Sequence, residues 1–134
     1  MRAPFTDALA DCPASAASKS ERPTVALIDL NALTRNFDEV VSRAEGRKIL
    51  AVVKAQAYGH GAVAVSRRLL ERGADMLGVA LVEEGRELRN AGIQAPILVM
   101  GAVFPEQAET IAALNLTPAV FSLPVAQALS AAAL

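Results

Sequence analysis

One cysteine, Cys12, leaves this chain no partner for an internal disulfide, so a reducing cytoplasm is the default setting. Basic charge is not in excess: Lys+Arg number 13 against Asp+Glu 14, for a net charge of −1. The single Tyr and the four Phe are not interleaved with basic residues, so no nucleic-acid partner is expected. No apolar run approaches the roughly 20 residues that span a bilayer, and no membrane partner is expected either. His60 has no second histidine to work with and Cys12 is distant in sequence, so no metal site is expected. The first 21 residues lack the continuous apolar core of a secretory signal, and residues 1–22 read as a mobile leader. What remains, in a chain of 134 residues that is 53% hydrophobic, suffices for one core.

The most informative stretch is Ile49-Leu-Ala-Val-Val-Lys54-Ala-Gln-Ala-Tyr58-Gly59-His60-Gly61. Ile49 to Val53 is short, β-branched and without polar alternation, as in a strand covered on both faces of a parallel sheet. Lys54 stands at its carboxyl end, where barrels and open α/β sheets collect ligands and catalytic groups. An exposed lysine, with pKa ~10.4, is protonated at neutral pH; burial at a strand end lowers that value and frees a lone pair that can condense with an aldehyde. Tyr58, taken alone, reads as a tyrosine packed over the mouth of the sheet. His60 is read as fixing the turn by hydrogen bonding, not as a base or ligand. Gly59 and Gly61 are expected to take backbone angles that other residues avoid. They lack the GxGxxG or Walker spacing of a phosphate cradle.

From Thr24 onward strand and helix patterns alternate. Strands are expected at Val25–Ile28, Ile49–Val53, Met76–Ala80, Ile97–Met100 and Pro118–Phe121, with helices at Ala32–Ala44, Ala62–Arg72, Val82–Ala91, Pro105–Leu114 and from Leu123. Leu33, Phe37, Val40 and Val41 share one helical face, as do Ala62, Val65 and Leu69. Asp29, Asn31 and Ser122 are capping types, and Gly46, Gly73 and Gly92 follow helices where a left-handed cap is expected. Glu83, Glu84 and Glu87 with Arg86 and Arg89 read as a solvated face with local ion pairing, and Arg67, Arg68 and Arg72 as an exposed helix side. Asp75 suits a turn. The alternation implies parallel strands joined by right-handed crossovers. Four strand-helix units follow the leading strand, whereas an eight-unit barrel needs about 250 residues. The fold expected is α/β, either the amino-terminal part of a TIM (β/α)8 barrel truncated after about four units or a complete small open sheet.

The lysine segment resembles that of the alanine racemase family, Val-Val-Lys-Ala-Asn-Ala-Tyr-Gly-His-Gly, with Gln56 in place of the usual asparagine. Ile28-Asp-Leu30, Gly73-Ala-Asp75, Gly78-Val-Ala80, Glu83-Glu84, Ala95-Pro-Ile97 and Leu116-Thr-Pro118 support the likeness, which runs from about Arg22 to the end. The resemblance favours the barrel, with residues 23–134 as the amino-terminal part of its cofactor-binding domain.

It implies pyridoxal 5'-phosphate bound through Lys54, which also serves as the base toward one face of the D-enantiomer, while a tyrosine of the partner subunit serves the other. For Tyr58 it implies a hydroxyl donated to the cofactor phosphate. The implied function is interconversion of L- and D-alanine for peptidoglycan precursors, in a cytoplasmic homodimer. This chain alone is expected to be inactive, because the family's arginine beside the pyridine nitrogen and its tyrosine base have no counterparts in it. Two alternatives stand beside this reading: another enzyme of the same cofactor and barrel type, such as a decarboxylase or broader-specificity racemase, and a non-catalytic half-barrel association module.

Overall fold

A computed structural model describes residues 24–133. The expected leader, residues 1–22, lies outside them.

Helix α1 spans Leu30–Arg43, and Asp29 caps it by accepting the backbone N–H groups of Asn31 and Ala32 at 2.8 and 3.0 Å. Strands β1 (Leu50–Val52), β2 (Met76–Val79), β3 (Ile97–Val99) and β4 (Thr117–Pro118) form one parallel sheet in the order β1-β2-β3-β4. Between them lie the short α2 (Lys54–Gly59), then α3 (Ala62–Glu71), α4 (Val82–Asn90) and α5 (Ala108–Ala113); α6 (Leu123–Ala132) follows β4. The register sets Ala51 beside Leu77 and Leu77 beside Ile97. Ala51, Val53, Leu77, Val79, Ile97 and Val99 are all buried, with Val65, Leu69, Val82, Leu88 and Ile111 of the helices in the same core.

The opposite face carries Leu50 and Val52, which are 36% and 38% exposed. Strand β1 is therefore covered on one face only among the described residues, not on both as its composition suggested. Continuous β-branched sequence reports that both sides of a strand tolerate apolar neighbours; it does not say which segment supplies them. The unbroken strand order, with helices over one face, is how an arc of a (β/α)8 barrel is built. A doubly wound sheet reverses its order and is flanked on both sides.

Two polar devices fix the frame. Asp75 Oδ2 accepts the N–H of Ile49 at 2.7 Å while the Asp75 N–H donates to Ile49 O, which pins the start of β1 to the start of β2. Arg89, on α4, donates to the carbonyls of Ile93, Ala95, Leu114 and Asn115 at 2.7–2.9 Å, tying the loops before β3 and β4. Desolvation draws its pKa below the ordinary arginine value.

Several expectations are corrected here. Val25–Ile28 joins no ladder; Val25 and Leu27 are about 60% exposed, and the sheet begins at Leu50. Of the α1 face, Phe37 is buried and Leu33 packs on the core, whereas Val40, which lines a groove with them beside β1, and Val41 are exposed. Ser122 occupies the N-cap position of α6 without a side-chain bond. Glu45, ahead of Gly46, takes the first left-handed position after α1. The helix expected from Pro105 opens as a 3-10 turn, Pro105–Gln107, and the last strand is shorter and earlier than Pro118–Phe121. Arg67 and Arg72 are exposed as expected and Arg68 is half-buried; from that side they donate to Ala91 O, to Asp38, and to Asn31 and Thr34, stapling α3 to its neighbours. No helix among the described residues is long and apolar enough to cross a membrane.

Candidate active site

Lys54 follows β1 directly, and the Val53 N–H donates to Gly78 O at 2.8 Å, so the strand is held by its neighbour up to the residue before the lysine. The lysine is half-buried, less enclosed than its strand-end position suggested. No carboxylate of the described residues forms an ion pair with it.

The chain then does something that its glycines alone do not announce. Ala55, Gln56, Ala57 and Tyr58 all lie in the left-handed region, with φ of 50–56° and ψ of 39–50°. For L-residues this conformation costs about 1–2 kcal/mol each, and runs of it are rare. Gly59 and Gly61, at φ 85° and 89°, continue the positive angles as expected. Backbone bonds from Ala57 N to Val53 O and from Gly61 N to Gln56 O close the turn at 2.9 and 2.8 Å. His60 Nδ1 lies 2.8 Å from Ala57 O, which is the turn-fixing role read from the sequence. The imidazole donates there in the tautomer that carries the proton on Nδ1.

Further support comes from α4. Glu84 Oε1 accepts the Ala55 N–H at 2.6 Å, while its Oε2 accepts the N–H groups of Ala80 and Leu81 at 2.7 and 3.1 Å. Gln56 Nε2 donates to Glu87 Oε2 at 2.6 Å, and Gln56 Oε1 accepts the Ala62 N–H at 3.3 Å. The expected solvated face holds for Glu83, Arg86 and Glu87, which are exposed; Glu84 is partly buried on backbone N–H groups, and Glu84 and Glu87 bond to the lysine turn instead of forming local ion pairs. Their partners lie 29 and 31 residues away, beyond the reach of local spacing. One signal was available: a glutamate three residues past the N-cap reaches back to the cap's N–H, and Leu81-Val-Glu-Glu84 after a strand has that form.

Tyr58 is 60% exposed and, with Leu27, Asp29 and His60, lines a groove of about 450 Å3 beside α1. Lys54 does not line this groove. The turn thus joins the two candidate residues along the chain, with Tyr58 on this groove and Lys54 outside its lining. Among the described residues no group of three or more His, Cys, Asp or Glu could hold a metal ion.

Residues 28–134 match the sequence model of the family described as alanine racemase, N-terminal domain. The chain belongs to the alanine racemase family. Over 109 residues it is 50% identical to the alanine racemase of Symbiobacterium thermophilum, covering 81% of this chain and 29% of that protein. Among solved structures, alanine racemase from Clostridium difficile 630 superposes with a TM-score of 0.69 at 39% identity, over 75% of this chain and 27% of the other. Histidine racemase from Leuconostoc mesenteroides superposes with a TM-score of 0.72 at 28% identity, over 78% and 28%. The chain spans under a third of the length of these relatives, and its four-stranded sheet corresponds to the amino-terminal part of the alanine racemase barrel.

Proposed function

We propose that this chain supplies the cofactor-bearing part of a pyridoxal 5'-phosphate-dependent alanine racemase, which interconverts L- and D-alanine for peptidoglycan precursors. The observation that carries the reading is Lys54: an amine free of ion pairing among the described residues, at the carboxyl end of a barrel strand, on a turn whose strain is offset by built contacts. Strained backbone of this kind clusters at functional sites.

The residues fit the group in kind. A half-buried amine can form the covalent link, and the exposed phenol of Tyr58 has a hydroxyl to donate to a phosphate. When bound, pyridoxal phosphate supplies an electron sink for the charge left when an α-proton departs. Lys54 Nζ is then the group that takes or returns that proton on one face. Racemisation needs a second acid/base group on the other face. By its family, that group comes from a partner subunit of a cytoplasmic homodimer.

A second reading, a racemase of broader specificity, is favoured by the similarity to histidine racemase. The experiment is a graft: residues 28–134 replace the matching segment of the Symbiobacterium enzyme, and D-alanine and D-histidine formation from the L-enantiomers are measured. Turnover of alanine that vanishes in Lys54→Ala supports the first reading. Comparable turnover of both substrates supports the second. A folded graft that binds no pyridoxal phosphate would leave only a non-catalytic association module.

A further inference from the structure

The left-handed turn after Lys54 poses a physical problem. Four successive L-residues in this region are each disfavoured by about 1–2 kcal/mol, so something outside the turn has to hold them. The backbone bonds Ala57 N to Val53 O and Gly61 N to Gln56 O close the turn, and Gln56 ties its middle to Glu87 and Ala62. At the head of the run, the peptide that joins Lys54 to Ala55 is held from outside the turn through the Ala55 N–H. That N–H is directed at Glu84 Oε1, 2.6 Å away, on a different strand-helix unit.

Glu84 is well suited to this task. Its second oxygen is fixed by the N–H groups of Ala80 and Leu81, at the carboxyl end of β2 and the start of α4. A carboxylate anchored in this way has little freedom to swing away from Ala55. All three acceptor contacts are charge-assisted, and such bonds are shorter and stronger than neutral ones. The side chain is partly buried, so water competes less than it does at the surface.

From this geometry we infer that Glu84 is the positioning residue for Lys54: its carboxylate cross-links the ends of β1 and β2 and thereby fixes the direction in which the lysine leaves the strand. The inference rests on the reading that Lys54 carries the cofactor. Glu84 itself touches neither cofactor nor substrate in this scheme; it acts through the Ala55 N–H.

The test uses the grafted racemase with Glu84→Gln and Glu84→Asp. Glutamine keeps the size of the side chain but removes the charge and one acceptor oxygen. Aspartate keeps the charge beside the start of α4, and so the fold, while its shorter reach withdraws the oxygen from Ala55. Two readouts other than turnover apply. The first is amide hydrogen exchange of the peptide spanning residues 54–61, with peptides from β2 and β3 as internal controls. The second is the fraction of added pyridoxal phosphate fixed by borohydride on Lys54 relative to the exposed Lys48.

Both variants are expected to unfold cooperatively and to exchange residues 54–61 about tenfold faster, with β2 and β3 unchanged. The Lys54:Lys48 labelling ratio should fall, and kcat should fall more than KM rises. Protection of residues 54–61 equal to the parent's, or a parental labelling ratio, in a folded Glu84→Asp protein overturns the proposal. Label found elsewhere than Lys54 in the unsubstituted graft overturns the cofactor reading itself, and the positioning role with it.

Discussion

The Gln56 amide nitrogen stands 2.6 Å from Glu87 Oε2, a hydrogen bond between residues 31 positions apart that ties the lysine turn to α4. Asparagine, the residue common at this place in the family, is one methylene shorter and does not span the same gap from this backbone. Gln56→Asn is expected to lose the bond, and because both partners are exposed the loss of stability should be about 0.5–1 kcal/mol. A double-mutant cycle with Glu87→Gln, read by denaturant unfolding, should recover most of that energy as coupling. Independent, additive effects would mean that the pair contributes nothing.

Tyr58 is expected to anchor the cofactor phosphate and not to move the substrate proton. Tyr58→Phe removes one hydrogen bond to a charged group. With the residue 60% exposed, the lower end of the usual range applies, about 1.5 kcal/mol, or roughly a tenfold loss of cofactor affinity. Turnover at saturating cofactor should change less. Unchanged affinity with a large loss of turnover would place the phenol in the chemical step.

Asp29 gives the fold a pH dependence of known sign. The N–H of Ala32 is the main cause that lowers its pKa below the ordinary 3.8, helped by the N–H of Asn31 and the charge of Arg35. A carboxyl whose pKa falls on folding adds stability above its unfolded value, and that stability is lost as pH falls through the folded value. Asp29→Ala should therefore lower the melting temperature at neutral pH, and the gap from the parent should close as pH drops below 3.8. A gap independent of pH would assign the cap's effect to something other than the ionised carboxylate.

The alternation of strands and helices was legible because burial imposes it locally: Ala62, Val65 and Leu69 point inward as their spacing implies. The place of Lys54 at the end of β1 was legible because the strand and the lysine lie in one short segment. The left-handed run from Ala55 to Tyr58 was not, since only Gly59 and Gly61 advertise positive φ and the residues before them have no such preference. The long-range partners of Glu84 and Glu87 were not legible for a related reason. Helical spacing reports which residues share a face, and says nothing of a backbone N–H that another unit brings to that face. Val25–Ile28 has the composition of a strand but no strand beside it among the described residues.

The 134-residue chain by itself is expected not to racemise alanine. Its sole tyrosine is Tyr58, assigned to the cofactor phosphate, so no tyrosine is left to serve as the acid/base on the second face of a substrate. Among the described residues the sheet face bearing Leu50 and Val52 is open and β1 is an edge strand, so self-association is expected as well. D-alanine formation and sedimentation velocity of the purified chain check both. A monomer with activity near that of the relatives would contradict this account of what the second face requires.

The central claim is that Lys54 is the residue that carries the cofactor, and the chain makes it directly testable because Lys19, Lys48 and Lys54 are its only lysines. The grafted racemase is incubated with pyridoxal phosphate, reduced with borohydride, digested and mapped by mass spectrometry. The account predicts a phosphopyridoxyl group on Lys54, lost in Lys54→Ala together with racemisation while the protein stays folded. Label on Lys48 or on a lysine of the host segment, with racemisation retained in Lys54→Ala, would contradict it.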